Sequence, residues 1–259
     1  MNYDALVISA HPDDAESQMG GTLARLSDQG QRILLVDLTD GEPTEFAEPG
    51  VRAQQADEAA RILGVERLTL GLQDRFLADS TSTRLQLARL IREHRPRWVY
   101  GTGEACVHPD HAAMVGLTRA AVFLARLGQW ERAPGGELLA DQDPWIVERL
   151  FFPHCKMEPP WGEFAFAVDV SDVYERKRRA LAAYQSIFRL KDDRLLALYE
   201  AEDHYYGRML GVAYAEIYRS AAPLLVETPA VFRPAPHGWP SPRPEEHAVQ
   251  AQCYDGHVT

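Results

Sequence analysis

The sequence predicts an α/β fold, a mostly parallel sheet flanked by helices, on three observations. Short apolar, partly β-branched runs alternate with stretches whose apolar residues recur at helical spacing. The first runs are apolar almost throughout, as expected of strands covered on both faces. Two of them lead into turns that carry histidine, proline and aspartate, and ligand sites in open sheets lie beyond the carboxyl ends of strands.

Residues 4–9 read as the first buried strand. Pro12 ends it, because proline lacks a backbone donor and fixes φ. From about Ser17, Met19, Leu23 and Leu26 fall at helical spacing. Between strand and helix lies Ala10-His11-Pro12-Asp13-Asp14-Ala15-Glu16, one imidazole with three carboxylates. His11 and Asp14 are three apart, so on a helical turn they would share a face and could hold one cation. Asp13 would point elsewhere, free to act on something beside that cation. The competing reading is that Asp13, Asp14 and Glu16 only cap a helix N-terminus. Gly20-Gly21 lacks the full dinucleotide-binding pattern and is read as letting the first helix lie close to the sheet.

Residues 32–38 form a second predicted strand. Residues 39–50 are polar and rich in Gly, Pro and Glu, a loop at a strand end and thus a candidate pocket wall. A helix over 51–63 ends at Gly64 as its C-cap. A third strand is expected over 68–72 and a third helix over 85–93, stopped by Pro96. Residues 97–101 are the next strand. Beyond it comes His108-Pro109-Asp110-His111, then a helix with Met114, Leu117, Ala121 and Leu124 at helical spacing. The grammar of strand, His-Pro-Asp turn and helix is thus used twice. Together the two clusters supply the nitrogen and oxygen ligands that zinc favours. Spacing leaves four candidate ligands, His11, Asp14, His108 and His111, one more than an open catalytic site needs.

Past Leu127 the pattern changes. Residues 131–144 are loop-like, and strands are expected over 147–152 and 164–170, separated by Pro159-Pro160-Trp161-Gly162. Helices are expected over 171–188 and 195–220. The following stretch is too rich in proline for a helix or inner strand. It reads as an extended arm, laid on the surface or on a neighbouring subunit, with His237, His247 and His257 as solvated tail residues. The expected organisation is one domain over 1–220 and a Pro-rich arm over 221–259.

A chain of 259 residues can build one large domain with a full core. Its net charge of −11 argues against a nucleic-acid or anionic-membrane partner, which would want a basic face. No apolar run approaches the roughly 20 residues of a membrane span. The N-terminus carries no basic-then-apolar signal. Cys106, Cys155 and Cys253 form no ligand-spaced pair and no disulfide framework, so a cytoplasmic location is expected.

The stretches 10–16 and 108–111 resemble the two signature motifs of the zinc-dependent PIG-L/LmbE-like N-acetylglucosamine deacetylases. The likeness extends to Val51-Arg52, to Ala59-Ala60-Arg61-Ile62-Leu63-Gly64 and to a late segment over 171–188, about residues 4–219 in all. That late portion is similar to the bacillithiol-pathway branch, which deacetylates N-acetylglucosaminyl malate. The resemblance implies a Rossmann-like, mostly parallel sheet with a C-terminal α+β extension. It implies Zn²⁺ held by His11, Asp14 and His111, with Fe²⁺ suited to the same ligands. Asp13 matches the family's general base. His108 would stabilise the oxyanion or protonate the leaving amine, with Asp110 orienting it. Arg52 matches an arginine that meets the substrate at the pocket mouth. The partner implied is a small amino-sugar conjugate, and a homo-oligomer is expected. Val107, where relatives often carry arginine, and Gln55, where many carry glutamate, depart from the pattern and leave the aglycone open. Other N-acetyl glycosides, such as an antibiotic or chitin fragment, are alternative substrates. A sugar-binding protein that keeps zinc without catalysis is an alternative of another class.

Overall fold

The computed structural model describes residues 2–43, 48–103, 108–133, 135–156, 164–188 and 194–225. Ala5–Ser9 (β1) and Ile33–Thr39 (β2) are buried at every position. Glu66–Leu72 (β3), Trp98–Gly101 (β4) and Arg149–Pro153 (β5) complete a run of five parallel strands. The helices between them are Asp14–Asp28 (α1), Val51–Leu63 (α2), Thr81–His94 (α3) and Pro109–Ala125 (α4).

Successive side chains of β1 and β2 point to opposite faces, and both faces are covered. Ala5, Val7, Ile33 and Leu35 join Met19 and Leu23 of α1 and Leu63 of α2 in one cluster. Leu6, Ile8, Leu34 and Val36 join Leu87 and Ile91 of α3 and Met114 and Leu117 of α4 in the other. Each large side chain so buried contributes about 1.5–3 kcal/mol. The strand order is β3-β2-β1-β4-β5-β7-β6. The chain runs outward from β1 to β3, then returns to β4 on the other side of β1. That reversal opens a crevice at the carboxyl ends of β1 and β4, the two strands from which the histidine turns leave.

The C-terminal extension comprises a short helix Glu137–Ala140 (α5), strand Phe166–Asp169 (β6), helices Tyr174–Ala182 (α6), Gln185–Phe188 (α7) and Arg194–Met209 (α8), and strand Ala215–Ser220 (β7). Here the structure corrects the sequence reading. The helix expected over 195–220 stops at Met209. Gly211 stands at φ 77, and the chain re-enters the sheet as β7, antiparallel to both β5 and β6. The AEIYRS segment has no local bias strong enough to show this, and pairing with two neighbouring strands decides it. The helix expected over 171–188 is two pieces, α6 and α7. Elsewhere boundaries shift: α1 starts at Asp14, β3 at Glu66, and α3 at Thr81 behind a Ser80 cap whose hydroxyl accepts from the Thr83 N–H at 3.2 Å. The Pro159–Gly162 turn and residues 226–259 of the Pro-rich arm lie outside the described residues, as do Cys106, Cys253 and the three tail histidines.

The extension is pinned to the first helix by buried charge. α1 breaks at Met19 (φ −146), which frees N–H groups at its restart. The carboxylate of Glu216 on β7 accepts from the amides of Gly21 and Thr22 at 2.9 and 2.8 Å. Glu216 also pairs with Lys177 of α6 at 2.7 Å, and Lys177 with Asp203 of α8 at 2.7 Å. All three are fully buried, so removing one leaves an uncompensated charge, at a cost of about 3–5 kcal/mol. A Cβ on Gly21 would lie 2.6 Å from Val170, and one on Gly20 would lie 3.0 Å from Lys177. The Gly-Gly pair thus admits the extension, where the sequence reading had it admitting the sheet. Among the described residues no helix is long and apolar enough to cross a membrane.

Candidate metal and catalytic site

The turn after β1 is held under strain. Asp13, the residue before α1, stands at φ 103 and ψ −21, a region that costs a non-glycine residue on the order of 1–3 kcal/mol. Its side chain caps no helix N–H. Asp14 opens the helix, and its Oδ2 accepts from the His11 N–H at 2.9 Å and lies 3.4 Å from His11 Nδ1. The capping reading of this turn therefore fails for Asp13. Burial pushes the Asp13 carboxyl up to about 6, against the pull of Arg52. Burial would also raise Asp14, but His111 and His11 beside it hold its carboxyl well below the usual range.

At the start of α4 the described backbone is relaxed. His108, at φ −70, caps α4 by accepting the Asp110 N–H on Nδ1 at 3.2 Å, and Pro109 occupies the first helical turn. With Nδ1 accepting, the neutral ring carries its proton on Nε2. Burial, with His11 and His111 close by, lowers the His108 pKa. Asp110 is fully buried, and its carboxylate accepts the Arg75 N–H at 2.7 Å and the Leu77 N–H at 3.1 Å. Its Oδ2 lies 3.1 Å from His11 Nε2. The sequence reading expects Asp110 to orient the His108 ring. Here its backbone amide touches that ring, while its carboxylate, turned by two loop amides, orients His11.

All four candidate ligands converge. Ring nitrogens of His11, His108 and His111 lie within 4.8 Å of one another. His11 Nδ1 is 3.2 Å from His111 Nε2, and His111 Nε2 is 3.0 Å from Asp14 Oδ1. Ligand atoms about 2.05 Å from a tetrahedral zinc sit about 3.3 Å apart, so the spacing fits. The donor chemistry fits as well. His11 Nε2 faces Asp74 Oδ1 at 2.9 Å and Asp110 Oδ2 at 3.1 Å, both acceptors, so that nitrogen carries a proton. In the neutral ring Nδ1 then points a lone pair at the Asp14 carboxylate, 3.4 Å away. Acceptors facing acceptors call for a cation or a further proton. Burial would lower His11, but Asp14 and Asp110 raise its pKa, so a metal would compete with that proton.

Asp74, in the loop after β3, escaped the sequence reading. Its only signal was an acidic residue just past a strand end, and β2 separates that strand from β1. Arg67 escaped too. It sits on β3, makes a two-pronged pair with Asp37 of β2 at 2.5 and 3.0 Å, and donates to Glu16 at 2.6 Å. The Tyr184 hydroxyl donates to the same Glu16 oxygen at 2.7 Å. Burial alone would depress Arg67, but Glu16 and Asp37 flanking it hold its pKa well above the usual value. Glu16, expected to cap or to support the site, anchors α1 to the sheet from beneath. Arg52, in the first turn of α2, donates to Asp13 Oδ1 at 3.2 Å.

The family described as PIG-L, GlcNAc-PI de-N-acetylase, matches residues 6–122. Over 235 residues the chain is 31% identical to the diacetylchitobiose deacetylase of Thermococcus kodakarensis, covering 82% of this chain and 80% of that one. The chain belongs to the PIG-L family. Another relative is the 1D-myo-inositol 2-acetamido-2-deoxy-alpha-D-glucopyranoside deacetylase of Kineococcus radiotolerans, 28% identical over 56% of this chain and 50% of that one. Among solved structures, the conserved protein TT1542 of Thermus thermophilus shares 39% identity and a TM-score of 0.76 over 86% of this PIG-L chain and 97% of its own. The 4-carboxy-2-hydroxymuconate hydratase of Pseudomonas putida has a TM-score of 0.74 at 21% identity, over 88% and 99% of the two chains, a likeness of fold alone. The bacillithiol branch expected from the late segment is not the one these relatives are named for.

Proposed function

We propose that this PIG-L protein is a metal-dependent hydrolase that removes the N-acetyl group from a small GlcNAc glycoside, releasing acetate and a free amine. The observation that carries the reading is the spacing of His11 Nδ1, the Asp14 carboxylate and His111 Nε2, 3.0–3.4 Å apart and so fit for one cation, with the Asp13 carboxylate in the same turn. His11, Asp14 and His111 would hold the ion, zinc by preference for this nitrogen and oxygen set, with ferrous iron suited to the same donors. Bound there, the ion would polarise the amide carbonyl and acidify a water. Asp13, kept off the helix amides and raised toward neutral pH, takes the proton of the attacking water. His108, with Nδ1 committed to the Asp110 amide, has Nε2–H to offer the developing oxyanion. Asp74 and Asp110 fix the tautomer of His11.

The substrate class follows from what is left to read it. An N-acetylglucosaminyl malate substrate would need a cation for its carboxylates. Position 107 is valine, and both terminal nitrogens of Arg52 already have acceptors, so neither of these two positions supplies it. A neutral glycoside such as diacetylchitobiose, for which one relative is named, is the better fit. The test is to incubate the zinc-loaded protein with N,N′-diacetylchitobiose and with N-acetylglucosaminyl malate, following acetate and free amine together. Equal release of both from the neutral substrate is expected. A zinc-saturated protein that binds the sugar and releases neither product would make it a binding protein instead.

A further inference from the structure

Both terminal nitrogens of the Arg52 guanidinium donate within the protein. Nη1 donates to the Gly41 carbonyl at 2.9 Å, and Nη2 donates to the Pro12 carbonyl at 2.7 Å and to Asp13 Oδ1 at 3.2 Å. Nε is buried with no partner among the described residues. Both forks through which arginine grips an anion two-pronged are thus closed, one by protein acceptors and the other by burial. The three acceptors are not incidental either. Pro12 and Asp13 are the turn after β1, and Asp13 is its residue at positive φ. Gly41 belongs to the loop after β2 and stands at φ 69, and a Cβ there would lie 2.4 Å from the Arg52 Cζ. That loop is shaped around the guanidinium. One side chain on α2 therefore ties two strand-end loops together at the residue that would take the proton.

We propose that Arg52 is a positioning residue for Asp13, holding its strained backbone and its carboxylate in place, and that it does not read an anionic group of the substrate. The proposal rests on the assignment of Asp13 as the base. Strain at Asp13 needs a partner that over-determines the turn, and a guanidinium with two backbone carbonyls and one carboxylate oxygen supplies it. Lysine at the same position would keep the charge but offer a single nitrogen to three acceptors on two loops.

The experiment compares wild type, Arg52→Ala, Arg52→Lys, Gly41→Ala, Asp13→Asn and the Asp13→Asn/Arg52→Ala pair, each with zinc per chain measured and folding checked by circular dichroism. N,N′-diacetylchitobiose serves as the neutral substrate and N-acetylglucosaminyl malate as the anionic one, taken as a competitive inhibitor if it is not turned over. Arg52→Ala should keep one zinc and lose about 10²-fold in kcat, with KM for the neutral substrate and affinity for the anionic one each within about threefold. Gly41→Ala, which displaces the guanidinium without changing it, should lose kcat in the same way. In the Asp13→Asn background the arginine change should cost nothing more. Arg52→Lys should fall between, and it decides the matter if Arg52→Ala does not fold. A loss confined to affinity for the anionic compound, or full additivity with Asp13→Asn, would overturn the proposal. Wild-type kcat in Asp13→Asn alone would instead remove the base assignment beneath it.

Discussion

The turns after β1 and β4 share a vocabulary of histidine, proline and aspartate but hold it differently. At His108 and Pro109 the backbone is relaxed, with Pro109 starting α4 and His108 capping it. After β1 the residue in the capping position stands at φ 103, and its side chain caps nothing. The difference decides which groups are left for chemistry. In the second turn the Nδ1 of His108 and the carboxylate of Asp110 are committed to backbone amides, leaving His108 Nε2–H and the His111 ring. In the first, strain keeps the Asp13 carboxylate off the helix and an arginine steadies it. In the proposed site one turn is a scaffold that would supply a single ligand, His111. The other is built around a poised carboxylate.

The largest effect should come from removing a ligand from either turn. His111→Ala and Asp14→Ala should each lose the metal on dialysis and all activity with it, as elemental analysis would show, because each leaves only two protein ligands. Next is Asp13→Asn, expected to keep one metal per chain and lose about 10²–10⁴-fold in kcat. The pH profile carries the same claim. As the proposed base, Asp13 would work only when deprotonated, so activity should fall as pH drops through its pKa of about 6, or lower once a cation sits nearby. A kcat/KM profile flat from pH 7 to 4 would contradict it.

His108 sharpens the contrast because it caps α4 and, in the proposed reaction, would also serve the oxyanion. His108→Ala should keep its metal, lose about 10²–10³-fold in kcat, and lose about 1 kcal/mol of stability with the cap. His108→Asn restores a capping oxygen but no Nε2–H, so the urea midpoint should recover while kcat stays low. Recovery of both would make His108 structural only. The smallest effect is expected at Asp74, whose Oδ1 faces His11 Nε2 at 2.9 Å. Asp74→Asn should weaken metal affinity about 10–100-fold with the protein still folded, measured by competition with a chelator.

What could be read from the sequence was what local spacing controls. The buried strands and the two turns announce themselves because a parallel strand is apolar throughout and a ligand set needs His and Asp within one turn. The partners of those residues could not be read. Arg67 comes from β3 and Asp74 from the loop after it, and Arg52 reaches Asp13 across two loops, so no spacing within one segment encodes them. β7 was missed for the same reason. Its AEIYRS segment is strand only because β5 and β6 flank it and because Glu216 is drawn inward by two helix amides and a buried lysine. The capping role of His108 was open to inspection, since a polar residue before proline at a helix start is a known signature.

The central claim is that both turns serve one cation, on the Nδ1 side of His11. Anomalous diffraction at the zinc edge, from crystals of the zinc-loaded protein, tests it most directly. The account predicts a single strong peak about 2.0–2.2 Å from His11 Nδ1, an Asp14 oxygen and His111 Nε2, with His108 outside the ligand shell. A peak on the opposite edge of the ring, among His11 Nε2, Asp74 and Asp110, would contradict it, because those three also lie close enough to hold an ion.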